Sequence, residues 1–320
     1  DEHTAMASAT PRELLCAMRA SLTGQMPGSI TGATGSDENP ADLLLGEFTC
    51  EELPKPDRRP HHSLAEWLYA AYCWPVFVIL GTISWFVVVL TPGQGLRQML
   101  GRGLARLLFR ATFIPLTVNG REHIDRDRPL VIVANHASYL DGFVVTAALD
   151  IPVHFIVKGE LSRVPVVRQI LHRFGVEFVD RFNAQRGASS VRRIARKSRR
   201  GQSLVFFPEG TFISFAGLQP FRMGAFVTAA RSATPVLPLA IAGARNIVRG
   251  SHWFPRLGRI EVTIRPPVEP EGSGWQDALK LREAARREIS AWCGEPDMIE
   301  QYGHSTAEEL RERDTRQAAG

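Results

Sequence analysis

Cysteine is scarce in this chain, and its scarcity excludes several chemistries. Four cysteines stand among 320 residues, at Cys16, Cys50, Cys73 and Cys293, and none forms a CxxC. Neither a disulfide framework nor a zinc knuckle is suggested, and a reduced setting is expected. Nucleotide cradles are missing as well. There is no GxxxxGK followed by Ser or Thr, and no GxGxxG follows an apolar strand, so the phosphate loops of nucleotide enzymes are excluded. The single GxSxA, Gly303 to Ala307, lies in a polar tail with no strand before it; a nucleophile elbow needs a strand-to-helix turn. Extremes of composition are absent too. With 44% hydrophobic and 22% charged residues, the chain is neither disordered throughout, collagenous, a coiled coil nor a polytopic membrane protein. The charge excess is small, 38 Lys+Arg against 33 Asp+Glu for a net +5. It favours anionic partners such as membranes, phosphorylated substrates or nucleic acid without choosing among them.

What is present divides the chain into four parts. Residues 1–60 carry a Gly/Ser/Thr/Asn-rich stretch from Gly24 to Pro40 and a hinge from Pro54 to Pro60, the composition of linkers. Short helical turns are expected at Arg12–Ala20 and Ala41–Leu45. The chain starts at Asp1 instead of Met, as a piece of a longer polypeptide would. Residues 61–112 read as a membrane-anchoring segment. Trp67 to Leu90 contains no charged residue and exceeds the roughly 20 apolar residues that a spanning helix requires. A hairpin entering and leaving on one side is the alternative to a full span. Next, Gly93–Arg110 places Leu96, Leu100, Leu104, Leu107 and Leu108 on one helical face and Arg102, Arg106 and Arg110 opposite. That pattern predicts an interfacial helix with its cations at lipid phosphates and the following domain on the cytoplasmic side. The remaining parts are a domain over 113–295 and a polar tail over 296–320.

From Leu116 short apolar runs alternate with longer amphipathic ones. Strands are predicted at Leu116–Asn119, Leu130–Ala134, Val153–Val157, Val176–Asp180, Ser203–Pro208, Val236–Ile241 and Ile260–Arg265. Helices are predicted at Asp141–Leu149, Val164–Phe174, Ala188–Arg200, Arg222–Arg231 and Trp275–Trp292. This alternation predicts an α/β domain with a mostly parallel sheet flanked by helices.

Three predicted strands end in chemistry. Val131 to Ala134 runs into Asn135-His136, with Asp141 five positions after the histidine. An acid there can hold one imidazole nitrogen and leave the other as a base; it can equally cap the next helix. Leu204 to Phe207 ends in Pro208-Glu209-Gly210-Thr211, which presents a carboxyl at a turn. Phe155 to Val157 ends in Lys158-Gly159-Glu160. In a parallel sheet these ends gather on one rim, where open α/β sheets bind ligands. Between Arg181 and Arg200 lie Arg181, Arg186, Arg192, Arg193, Arg196, Lys197, Arg199 and Arg200 with no acid. This cationic surface suits a bilayer, coenzyme A phosphates or an acidic carrier protein. No aromatics are interleaved for base stacking, so nucleic acid is excluded as a partner.

The set NHxSYLD at Asn135–Asp141, KxEL at Lys158–Leu161, FPEGT at Phe207–Thr211 and TPVLPLAI at Thr234–Ile241 resembles the glycerophospholipid acyltransferases. The 1-acylglycerol-3-phosphate O-acyltransferases are their best-known members. Pro165, Gly175, Asp180-Arg181 and Phe221 to Gly224 add to the resemblance, which covers Leu116 to Ile264. It implies an enzyme of phospholipid biosynthesis that moves an acyl group from acyl-CoA or acyl carrier protein to a lysophospholipid hydroxyl. His136 and Asp141 would be catalytic, and Lys158, Glu160, Arg181, Glu209, Gly210, Thr211 and Arg222 would bind substrate. No metal or cofactor beyond the acyl donor is implied, and membrane lipids are expected partners. One position departs. An arginine that helps bind the acceptor's phosphate follows EGT in much of the family, and here Phe212 stands there. A lyso-aminolipid acceptor and a non-catalytic membrane-binding module are the competing readings.

Overall fold

The computed structural model describes residues 63–158, 165–179, 184–210, 217–248 and 254–297. The helical turns expected before residue 60, the sites Glu160, Arg181 and Thr211, and Phe212 lie outside these residues.

Helix α1 (Leu64–Leu90) starts in a capping box. Ser63 Oγ accepts from the Glu66 amide at 3.2 Å, and Glu66 Oε2 accepts from the Ser63 amide at 3.0 Å. It is the one helix among the described residues long and apolar enough to cross a membrane, and only 17% of its most apolar window is buried. Its outer surface shows Leu68, Val78, Ile79, Phe86 and Leu90. Helix α2 (Gln94–Ala111) folds back along α1. The phenols of Tyr69 and Tyr72 donate to Thr112 O at 2.7 Å and Ala111 O at 2.8 Å, supplying carbonyls that the helix end leaves without partners.

The orientation of α2 corrects the sequence expectation. Arg102 donates to Ile151 O and Arg106 to Ala147 O, each at 2.9 Å, and buried Gln98 donates to Val153 O at 2.7 Å. These cations therefore turn inward instead of toward lipid phosphates. The reason is local: Ala147 lies in the last turn of helix α3 (Asp141–Ala148), whose final carbonyls need donors and whose dipole favours cations. Leu96, Met99, Leu100 and Leu107 face outward, whereas Leu108 is buried.

Seven strands form one sheet in the order β1-β7-β6-β2-β5-β3-β4. They are β1 (Leu116–Asn119), β2 (Val131–Ala134), β3 (Val153–Lys158), β4 (Glu177–Val179), β5 (Ser203–Phe206), β6 (Val236–Ala242) and β7 (Ile260–Ile264). All neighbouring pairs are parallel except β6 with β7, so the sheet is mixed but mostly parallel. Every residue of β2 and β5 is buried, because helices cover both faces. Strand period two splits β2 between two cores. Ile132 and Ala134 pack with Phe109 of α2 and Val144 of α3. Val131 and Val133 pack with Ile194 of α5 (Ala184–Arg199), Phe226 of α6 (Gly224–Ser232) and Leu281 of α8 (Trp275–Trp292). Helix α4 (Pro165–Phe174) precedes β4, and the short α7 (Ala244–Ile247) follows β6. Elements match their predicted spans to within a few residues. The β5 strand ends two residues early, since Pro208 carries no amide, and α6 starts after Arg222 because that amide bonds Pro208 O at 2.9 Å.

Candidate active site

Strands β2 to β6 run the same way, so β2, β3 and β5 deliver Asn135, Lys158 and Phe207 to one rim. The chain leaving β2 is pinned first. Buried Asn135 donates through Nδ2 to Ile241 O at 2.9 Å and accepts at Oδ1 from Ile241 N at 2.7 Å, extending the β2–β6 ladder by a side chain. His136 follows at the lip, its side chain 21% exposed.

Asp141, at the start of α3 and fully buried, turns back on the loop that precedes it. Its Oδ2 accepts from His136 Nδ1 at 2.8 Å, Ala137 N at 2.7 Å and Ser138 N at 2.8 Å. The acid therefore serves the histidine loop instead of capping the helix. Two further contacts fix the loop. Ser138 Oγ donates to Val248 O at 2.8 Å, and the Phe207 ring stacks on the imidazole at 4.5 Å between centroids. Aromatic Tyr139 and Phe143 are exposed beside it.

Glu209 sits on the turn after β5, where Gly210 adopts φ +81°, a left-handed conformation that suits glycine. Its side chain points inward. Oε1 accepts from the His136 amide at 2.6 Å and Oε2 from the Gln219 amide at 3.0 Å, with the residue 5% exposed. Burial pushes its pKa up to about 8; the two amides and Arg245 pull the other way, while the nearby charge of Asp141 pushes it up further. The carboxyl thus fastens the backbone of His136 to that of Gln219. The Gly210 amide donates to Phe207 O at 3.1 Å, closing the turn on itself.

Arg222 is brought to the same turn by its amide bond to Pro208 O, and its side chain is exposed. Lys158 is the last residue of β3 on this rim. The cationic helix α5 lies on the other face of the sheet from α2. Arg193 and Lys197 both pair with Glu177, Arg193 at 2.6 Å, leaving Arg192 and Arg196 among its exposed cations. Sequence reasoning missed Phe207, Gln219 and the clamping role of Asn135. Asn135 stood inside the quoted motif, whereas nothing local marks Gln219.

Residues 115–242 match the family model described as Acyltransferase. The chain is 31% identical over 158 residues to a chloroplastic 1-acyl-sn-glycerol-3-phosphate acyltransferase of Brassica napus, covering 49% of this chain and 46% of that protein. It is 26% identical over 219 residues to a 1-acyl-sn-glycerol-3-phosphate acyltransferase of Chlamydomonas reinhardtii, covering 68% and 64%. The chain thus spans about half of the first relative and just under two thirds of the second. Among solved structures, the 1-acyl-sn-glycerophosphate acyltransferase PlsC of Thermotoga maritima has a TM-score of 0.58 at 24% identity, covering 71% of this chain and 95% of that one. This likeness bears on the fold.

Proposed function

We propose, from the match of residues 115–242 to the Acyltransferase family model, that the chain is a membrane-associated O-acyltransferase. It moves a fatty acyl group from acyl-CoA or acyl carrier protein to the hydroxyl of 1-acylglycerol-3-phosphate, giving phosphatidic acid. The observation that carries the reading is the 2.8 Å contact of His136 Nδ1 with buried Asp141 at the rim of a central strand.

With Nδ1 held, Nε2 is the basic atom. It takes the acceptor's hydroxyl proton as the oxygen attacks the thioester carbonyl, a contribution of about 10²–10⁴ in rate. Asp141 fixes the tautomer and stabilises the imidazolium. Collapse of the tetrahedral intermediate breaks the C–S bond, and the leaving thiolate takes the proton from Nε2. No serine or cysteine nucleophile is needed. Exposed Arg222 beside the Pro208–Gly210 turn supplies the cation for the acceptor's phosphate. Outward apolar residues of α1 and α2 hold the rim at a bilayer, with the catalytic domain on the cytoplasmic face.

Phe212, in place of an arginine, favours one competing acceptor, an uncharged lyso-lipid or lyso-aminolipid. A thioester-consumption assay over a panel of lyso-lipids separates the two. We expect lysophosphatidic acid to be preferred and Arg222→Ala to raise its KM at least tenfold, about 1.4 kcal/mol, with little change for an uncharged acceptor. Outright preference of the wild type for the uncharged acceptor transfers the assignment to that class. Absence of thioester consumption with every acceptor sinks the enzyme reading.

A further inference from the structure

The catalytic rim is braced by residues far beyond the matched segment, which ends at 242. Helix α8 is amphipathic, burying Ala278, Leu281, Ala285 and Ile289 against the sheet. After it, Gly294 at φ +68° turns the chain back. The returning residues are held to 217–219 by a dense set of bonds. Glu295 Oε2 accepts from Gly217 N at 2.6 Å, and Leu218 N donates to Pro296 O at 2.8 Å. Glu295 Oε1 accepts from Arg245 Nε at 2.6 Å, both side chains nearly buried. Arg286 of α8 donates to Gln219 O at 2.5 Å and Leu218 O at 3.0 Å. The same guanidinium forks onto Asp297 at 3.0 and 2.5 Å and lies 5.0 Å over the Phe221 ring.

This is more fastening than a short surface strap needs, and its target is informative. Gln219 is the residue whose amide holds Glu209 Oε2, and Glu209 Oε1 holds the His136 amide. A continuous line of bonds therefore runs from Arg286 through residue 219 and Glu209 to the backbone of the base. Planar guanidinium suits the task, since one group meets two carbonyls and a carboxylate at once, which an ammonium cannot match. We infer that Arg286, with Asp297 and Glu295, is a positioning latch that sets the placement of His136 through Gln219 and Glu209. The inference rests on the acyltransferase reading for its kinetic consequence but not for its structural one.

A misplacement of about 1 Å at a catalytic group costs about 10²-fold in rate. Arg286→Ala is therefore expected to lower kcat at least tenfold with KM for thioester and acceptor within twofold. A double-mutant cycle gives the readout that a merely structural role would not move. If the latch acts through Glu209, Arg286→Ala in a Glu209→Gln background costs less than twofold more; residues that couple depart from additivity in this way. Amide hydrogen exchange supplies a measure independent of activity. The amides of His136 and Gln219 are expected to exchange faster in Arg286→Ala while β2 and β6 stay protected. Full additivity in the cycle, an unchanged kcat, or unchanged exchange at His136 each overturns the latch. If Arg286→Ala does not fold, Asp297→Asn keeps the carbonyl bonds and loosens only the fork, and the same three readings decide. A wild type inactive on every acceptor defeats the enzymatic reading alone, and the exchange experiment still judges the latch.

Discussion

Asp141 and Glu209 are both buried carboxyls that accept backbone amides on the same rim, yet they are held by opposite means. The partners of Asp141 Oδ2, at His136, Ala137 and Ser138, lie within five residues of it, so its loop closes on itself. Glu209 joins partners 73 and 10 residues away and depends on chain that returns only after α8. A short loop can orient an imidazole with local bonds. Fixing where that loop sits relative to the sheet takes long-range ones.

The largest test of this contrast is His136→Ala, expected to lower thioester turnover by at least 10²-fold in protein that still folds; retention of more than a few per cent of activity removes His136 as the base. Asp141→Asn comes next. It keeps the shape but places a donor amide or a weaker acceptor before Nδ1 and two amides, so a kcat loss of about 10²-fold is expected. An effect mainly on KM would contradict the orienting role. Glu209→Gln should be milder, about tenfold in kcat, because one oxygen still accepts an amide. A much larger rise in acceptor KM would instead return Glu209 to substrate binding.

The Glu209 carboxyl also makes a pH prediction. Its pKa rises from 4.5 to about 8 on folding, so between these values the native state binds more protons than the unfolded chain. Stability therefore falls as pH climbs through that window, by up to a few kcal/mol at about 1.4 kcal/mol per tenfold change in proton affinity. Urea unfolding at pH 5 and pH 8.5 should show a steeper decline for the wild type than for Glu209→Gln. Parallel declines would mean that Glu209 does not carry the change. The smallest effect is expected at the anchor: Arg106→Ala should lower stability by about 1–2 kcal/mol, by orphaning Ala147 O, with turnover per folded molecule unaltered.

Local signals made much of this molecule readable in advance. Continuous apolar runs such as Val131–Ala134 and Leu204–Phe207 identified buried parallel strands, and the spacing from His136 to Asp141 put an acid within reach of an imidazole. The inward turn of Glu209 was illegible because its partners are main-chain amides, which every residue type carries. For α2 the periodicity was correct and Leu96, Leu100 and Leu107 do face outward, but Arg102 and Arg106 meet main-chain carbonyls: a helical wheel separates arginine from leucine but does not say what the arginines meet. That depended on the unpaired carbonyls of α3, visible only once the two helices lie together.

The donors of α2 also bear on how separable the parts of this protein are. Gln98, Arg102 and Arg106 supply the main-chain oxygens of Val153, Ile151 and Ala147, groups that belong to β3, to the loop before it and to the end of α3. A version trimmed at residue 113 to obtain a freely soluble catalyst would strand those oxygens and bare the face lined by Ile132 and Val144. Grafting the sheet onto a foreign anchor would require carrying α2 along. Helix α2 is thus a wall of the sheet domain, and that domain cannot be made portable by removing it.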